Sequence, residues 1–186
     1  EIASACGVAL ARAGHPEDAY AAFQDALARD PHCVEAHVNI ANLLAERGEG
    51  ERARVHFNDA LDADPKCVEA MIGLGTIAER AGEPDQAETM YRRALVADPR
   101  CAAAHSNLGV ALAAVGRREA AITSFRRALA LDPDYADAHA NLGHALMAKG
   151  VWPEALAALD RALALAPDHV DARLDRATVR LLTRDF

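Results

Sequence analysis

The sequence of 186 residues predicts an all-α fold made of a helix–turn–helix unit repeated every 34 residues. Three observations carry this expectation. Pro31, Pro65, Pro99, Pro133 and Pro167 are 34 residues apart, and each follows an "AL" ending: "ALARDP", "ALDADP", "ALVADP", "ALALDP" and "ALALAP". Gly14, Gly48, Gly82, Gly116 and Gly150 keep the same spacing between them. The stretch "AHVNIANLL" from Ala36 returns as "AHSNLGVAL" from Ala104 and "AHANLGHAL" from Ala138. Proline cannot continue a helix and biases the residue before it away from helical angles. Glycine accepts the left-handed conformation that ends one. The composition agrees: 52% is hydrophobic but only 4% aromatic, which suits helices packed through small residues better than a sheet.

The elements follow in order. Unit 1–33 has a first helix that stops at Gly14 and a second opened by Pro16-Glu17, with Ala19, Phe23 and Ala26 on one face. Unit 34–67 repeats the pattern with Gly48, Glu49 and the face Ala53, Phe57, Ala60. Unit 68–101 uses Gly82, Pro84-Asp85 and Ala87, Tyr91, Ala94. Unit 102–135 uses Gly116, Glu119 and Ala121, Phe125, Ala128, and unit 136–169 uses Gly150, Pro153-Glu154 and Ala155, Leu159, Ala162. Spacings of four and three put each triplet on one helical face. Acids and prolines at the helix starts suit the missing first N–H bonds and the dipole. Residues 170–186 give one more first helix, with Leu174, Val179, Leu181, Leu182 and then Phe186, and no second helix to cover them. A repeat stack needs a polar cap, so this end is expected to meet a following segment or to self-associate. The chain starts without methionine and reads as a single array, a piece of something longer.

Composition also excludes functions. A net charge of −8 argues against a general nucleic-acid binder, which needs a basic face for phosphates. No apolar run reaches the length of a membrane span, and the start "EIASACGVAL" lacks a signal-peptide pattern. Cys33, Cys67 and Cys101 recur one period apart, with Cys6 out of register. Stacked helices lie farther apart than a disulfide allows, so reduced thiols in the cytoplasm are expected. His37, His105 and His139 also recur in one register of the repeat, too far apart for one metal ion, and are read as packing between helices. No phosphate loop, HExxH, GxSxG or nucleophile with a base appears. The chain is expected to have no catalytic residue, cofactor or metal and to be no enzyme by itself.

The 34-residue period, the pair Leu108-Gly109 with Leu112, and Ala121, Phe125, Ala128 and Pro133 resemble the tetratricopeptide repeat along the whole chain. The resemblance implies a right-handed superhelical solenoid of antiparallel helix pairs. First helices would line a concave groove that binds a protein or peptide. Asn39, Asn107 and Asn141 share one position on the first helices, where Gly73 and Asp175 stand in other units. An amide both donates and accepts, so these residues can hold a peptide backbone as a ladder. The other reading is that they bond neighbouring helices. Asn42 and His144 are placed in the same groove, and Glu35, Glu69, Asp137 and Asp171 on its rim. "AHSNLG" and "AHANLG" look like arrays of O-GlcNAc transferases and their bacterial relatives, where such asparagines are associated with holding substrate polypeptides. A co-chaperone carboxylate clamp needs a basic residue just before the asparagine, and Val38, Ile72, Ser106, Ala140 and Leu174 stand there. Two readings of the host remain open: the recruiting arm of an O-GlcNAc-transferase-like enzyme, or a stand-alone scaffold.

Overall fold

A computed structural model describes residues 2–183, and the side chains of 3–183. Within them lie eleven helices and no strand. They fall into two compact units, Glu1–Asp98 and Pro99–Phe186. The first holds α1 (Ile2–Arg12), α2 (Pro16–Arg29), α3 (Val34–Glu46), α4 (Gly50–Ala63), α5 (Val68–Arg80) and α6 (Pro84–Ala97). The second holds α7 (Ala102–Ala114), α8 (Arg118–Leu131), α9 (Ala136–Lys149), α10 (Trp152–Leu165) and α11 (Val170–Thr183). The all-α repeat expected from the sequence is the architecture observed. Phe186 lies outside the described residues.

The stops act as the chemistry requires. The five periodic glycines all have positive φ, between 76° and 81°. At the other stop, Asp30, Asp64 and Asp132 are extended C-caps whose N–H groups still bond the carbonyls of Ala26, Ala60 and Ala128. Their carboxylates accept the N–H groups of His32, Lys66 and Asp134, two residues on. The Asp-Pro pair thus closes the helix and folds the turn. Cys33, Cys67 and Cys101 are the N-cap residues of α3, α5 and α7, with Tyr135 in that place before α9. Their periodicity is that of a helix start, and all four cysteines are free thiols.

Within the units, α2, α4, α8 and α10 each pack on their own first helix and on the next first helix, and α6 packs on α5. Successive first helices also touch (α1 with α3, α3 with α5, α7 with α9, α9 with α11), whereas among the described residues no such contact joins α2 to α4, α4 to α6, or α8 to α10. Within each unit the tighter row is therefore the inner side of the curve. The core is built on Phe23, Phe57, Tyr91, Phe125 and Leu159, all buried among alanines. Burying such a side chain contributes roughly 1.5–3 kcal/mol. Most of these knobs rest on a glycine of their own first helix. A Cβ at Gly7, Gly75, Gly109 or Gly143 would come within 2.4–2.5 Å of Phe23, Tyr91, Phe125 or Leu159.

The pair α3–α4 departs from this rule. Ala41 stands where the others have glycine, and its methyl group is fully buried. The Phe57 ring leans instead toward the following first helix, where a Cβ on Gly73 would meet it at 2.1 Å. Gly73 occupies the asparagine register. At this position of the asparagine register the Phe57 ring fills the space a side chain would need.

One expectation at the C-terminal end is corrected. Val179 is fully buried against α9 and α10, while Leu174, Leu181 and Leu182 are exposed. The 3.6-residue period turns Val179 inward when its neighbours face out.

Candidate peptide-binding surface

The first helices present a cleft in each unit. In the first, a cleft of about 410 Å³ lies between α3 and α5, over the Phe57 ring at Gly73. Asn42, Glu46, Glu69 and Thr76 line it, and Arg80 bridges its walls by donating from Nη1 to the Ala45 carbonyl at 3.1 Å. The glycine that breaks the asparagine series thus opens this cleft. In the second, a cleft of about 320 Å³ lies between α9 and α11. It is lined by Asn141, His144, Asp171, Leu174 and Asp175. His144 Nδ1 is 2.8 Å from Asp175 Oδ2, one residue from each helix.

The site residues expected from the sequence therefore separate into groups. Asn141, His144, Asp171 and Asp175 come together; Asn42 and Glu69 meet in the other unit. Asn39, Glu35, Asn107 and Asp137 line neither cleft. Asn39 donates from Nδ2 to the Glu35 carbonyl of its own helix at 2.8 Å, which leaves its Oδ1 and second N–H for a ligand. Asn107 and Asn141 are half-buried. Two of the rim acids reach beyond their own helices, Glu35 to α1 and Asp137 to the residue before α11. Glu35 Oε2 accepts from the buried Ser4 hydroxyl at 2.7 Å, and Asp137 Oδ1 lies 3.4 Å from His169 Nε2.

The sequence reading missed several features. The periodic histidines have a shared role: Nε2 of His37, His105 and His139 bonds the carbonyls of Pro31, Pro99 and Pro133 at 3.0, 3.2 and 2.9 Å. A carbonyl only accepts, so each ring carries its proton on Nε2 and braces the turn that precedes its helix. The proline–histidine spacing of six was visible in the sequence. His37 further faces His56 and Asp59 of α4, with Nδ1 of the two rings 3.1 Å apart. Burial, then the nearby His37, pushes the His56 pKa down. On the second-helix side a cleft of about 470 Å³ by Pro65 is lined by Lys66, Arg92 and Arg93, a basic contrast to the acidic first-helix clefts.

Beside Thr76 the buried Tyr91 pairs with the half-buried Glu79. Tyr91 fills the place of a phenylalanine, so its hydroxyl needs an acceptor and donates to Glu79 Oε2 at 2.7 Å. Glu79 Oε1 has no hydrogen-bond partner among the described residues. Burial pushes the Glu79 carboxyl up, against the lowering effect of the Tyr91 bond, and burial also raises Tyr91. Burial likewise raises the Cys67 thiol, which makes it a poor nucleophile.

Such a stack of helix hairpins, bearing polar clefts on its inner row, defines a helical-repeat protein. Two family models, each described as a tetratricopeptide repeat, match residues 7–66, 51–85 and 72–136 in one case and 112–181 in the other. The chain belongs to the tetratricopeptide repeat family. Among solved structures it is similar to a thermophilic TPR protein of Thermus thermophilus, with 28% identity, a TM-score of 0.74, and coverage of 96% of this chain and 97% of that one. It is similar to YrrB, a TPR protein with an unusual peptide-binding site, at 26% identity, TM-score 0.68, covering 92% of this chain and 88% of that one. PilW, a type IV pilus biogenesis factor, shares the fold at 23% identity and TM-score 0.87, over 97% of this chain and 84% of that one. No curated protein sequence matches the chain.

Proposed function

We propose that this chain is a non-catalytic scaffold or adaptor that holds an extended polypeptide along its first-helix clefts. The observation that carries the reading is the meeting of Asn141, His144, Asp171 and Asp175 in one cleft between α9 and α11. An amide beside an imidazole–carboxylate pair offers donors and acceptors to a peptide backbone, and acidic walls favour a neutral or basic partner. Likeness to YrrB, described by its peptide-binding site, supports the same use. A protein or peptide is the partner; with a net charge of −8, nucleic acid is not. No described helix is long and apolar enough to cross a membrane, and four free thiols suit the reducing cytoplasm.

A second reading makes the chain the substrate-recruiting arm of an O-GlcNAc-transferase-like protein. The recurrence of Asn39, Asn107 and Asn141 favours it, because a ladder of amides grips backbone without reading side chains. We also propose that the exposed face of α11 supports self-association of the isolated chain.

Selection of peptides from a random library on the immobilised protein tests these readings. Asn141→Ala/Asp175→Ala is expected to weaken the selected peptide at least about tenfold, since each lost charged or buried bond is worth roughly 1–3 kcal/mol, with circular dichroism unchanged. Equal binding by the folded variant removes the cleft from the function. Peptides sharing no side-chain pattern, weakened further by Asn39→Ala and Asn107→Ala, favour the recruiting arm. A defined motif, indifferent to those two, favours the scaffold.

A further inference from the structure

We propose that His37, His56 and Asp59 form a binding site for a divalent first-row transition metal of the zinc class. One ligand atom from each lies within 4.8 Å of the others. His37 Nδ1 is 3.1 Å from His56 Nδ1 and 3.6 Å from Asp59 Oδ2. Two ligands at zinc-like bond lengths in a tetrahedral arrangement stand about 3.3 Å apart, and the two distances bracket that value. Two imidazoles and one carboxylate suit zinc, and also copper or nickel, over magnesium or calcium, which take oxygen ligands.

The orientation of His37 is set from outside the site. Its Nε2 is 3.0 Å from the Pro31 carbonyl, which can only accept, so the proton sits on Nε2. The Nδ1 lone pair then points at His56 and Asp59. Such a bond from the far ring nitrogen is what orients metal-binding histidines. Without metal, His56 donates its Nδ1–H to that lone pair. On binding, the His56 proton moves to Nε2 and both Nδ1 atoms face the ion. His56 and Asp59 sit three residues apart on α4, and His37 is on α3, so the ligands belong to two packed helices. The rings tilt at 43° with centroids 5.3 Å apart, which leaves the nitrogens converging and the faces apart. The nearby cation, Arg52, is engaged by Glu49 and by the Tyr20 hydroxyl.

The site is peculiar to this repeat. At the registers of His56 and Asp59 the later units carry Met90 and Arg93, Ser124 and Arg127, and Ala158 and Arg161. His105 and His139 keep the proline bond but face an arginine register. The turn-bracing bond thus recurs in three units, whereas the three ligands coincide in one. A bound ion would clamp α3 to α4 with a fourth position open to water or a partner's side chain.

Calorimetric titration of the untagged 186-residue protein with Zn2+ alone, with thermal melts in parallel, tests the proposal. One equivalent is expected to bind with a Kd of about 10 μM or tighter and to raise Tm, since a ligand of the native state stabilises it by mass action. His56→Ala and Asp59→Asn, at half-exposed positions, should each weaken binding at least about tenfold and abolish the rise. His105→Ala should leave both unchanged. Co2+ in place of Zn2+ should give the visible absorption of a tetrahedral nitrogen–oxygen site, lost in His56→Ala. Absence of saturable binding at about 100 μM Zn2+, or binding that survives both variants, overturns the site.

Discussion

At the scale of single residues, polar groups in this chain are placed by what their apolar neighbours leave open. Tyr91 shows it: the ring is buried as phenylalanine is elsewhere, and its hydroxyl holds the half-buried Glu79 carboxylate. Because burial raises the Glu79 pKa above 4.5, the folded chain holds a proton there more tightly than the unfolded chain. The stability this contributes is fully present below the unfolded pKa and is lost as pH rises through the folded value. Glu79→Gln keeps an acceptor for Tyr91 and removes the titration. Thermal melts from about pH 4 to about pH 8 are therefore expected to show the variant gaining on wild type as pH rises, with little difference at the acid end. A gap constant with pH would mean that Glu79 is not the group responsible. The periodic histidines teach the same lesson. Their spacing was legible in the sequence, but their partners, the proline carbonyls, were not, because a backbone acceptor leaves no mark in residue identity.

At the scale of elements, each hairpin is set by the fit of one large side chain to one small one. The exception at Ala41 and Gly73 makes that fit measurable. Gly73→Asn restores the asparagine register but drives a Cβ toward the Phe57 ring; overpacking of this kind costs about 1–3 kcal/mol. Ala41→Gly alone costs about 1 kcal/mol through helix propensity. Combined, the two let the ring return to its own hairpin, and the double variant is expected to be more stable than Gly73→Asn alone. A double-mutant cycle by urea unfolding should give a coupling of about 1–2 kcal/mol. Strict additivity would show that Ala41 does not displace the ring. The same pair explains where the sequence reading of the site stopped short. Gly73 read as a missing asparagine, whereas the structure makes it the opening of a cleft.

At the scale of the whole molecule, α11 stands apart. It packs on α9 and α10 through Ala172 and Val179, yet Leu174 and Leu181 remain 62% and 67% exposed. Leu174 lines the cleft between α9 and α11. An exposed apolar face of this kind is the surface through which we propose the isolated chain associates. Sedimentation velocity on the isolated chain should show an assembly that grows with concentration, and Leu181→Glu with Leu182→Glu should reduce it to monomer. A wild-type chain that stays monomeric at concentrations on the order of 100 μM would show that this face needs no cover.

The repeat itself was determined by sequence alone. Proline and glycine act through their own backbone geometry, so the stops at Gly48 or Pro65 are legible without any partner. The inward triplets follow from helical period, as Ala121, Phe125 and Ala128 do, and Asn141, His144, Asp171 and Asp175 could be nominated from register. Only the tertiary structure decided which of these meet. His144 pairs with Asp175 from the next first helix, Glu35 is taken by Ser4, and His37 finds His56 and Asp59 across a hairpin. The physical reason is that contacts between helices depend on crossing geometry and on side-chain volumes several residues away, such as one methyl group at Ala41. A periodic pattern carries the positions of side chains around one helix axis, and no information about the distance to the next.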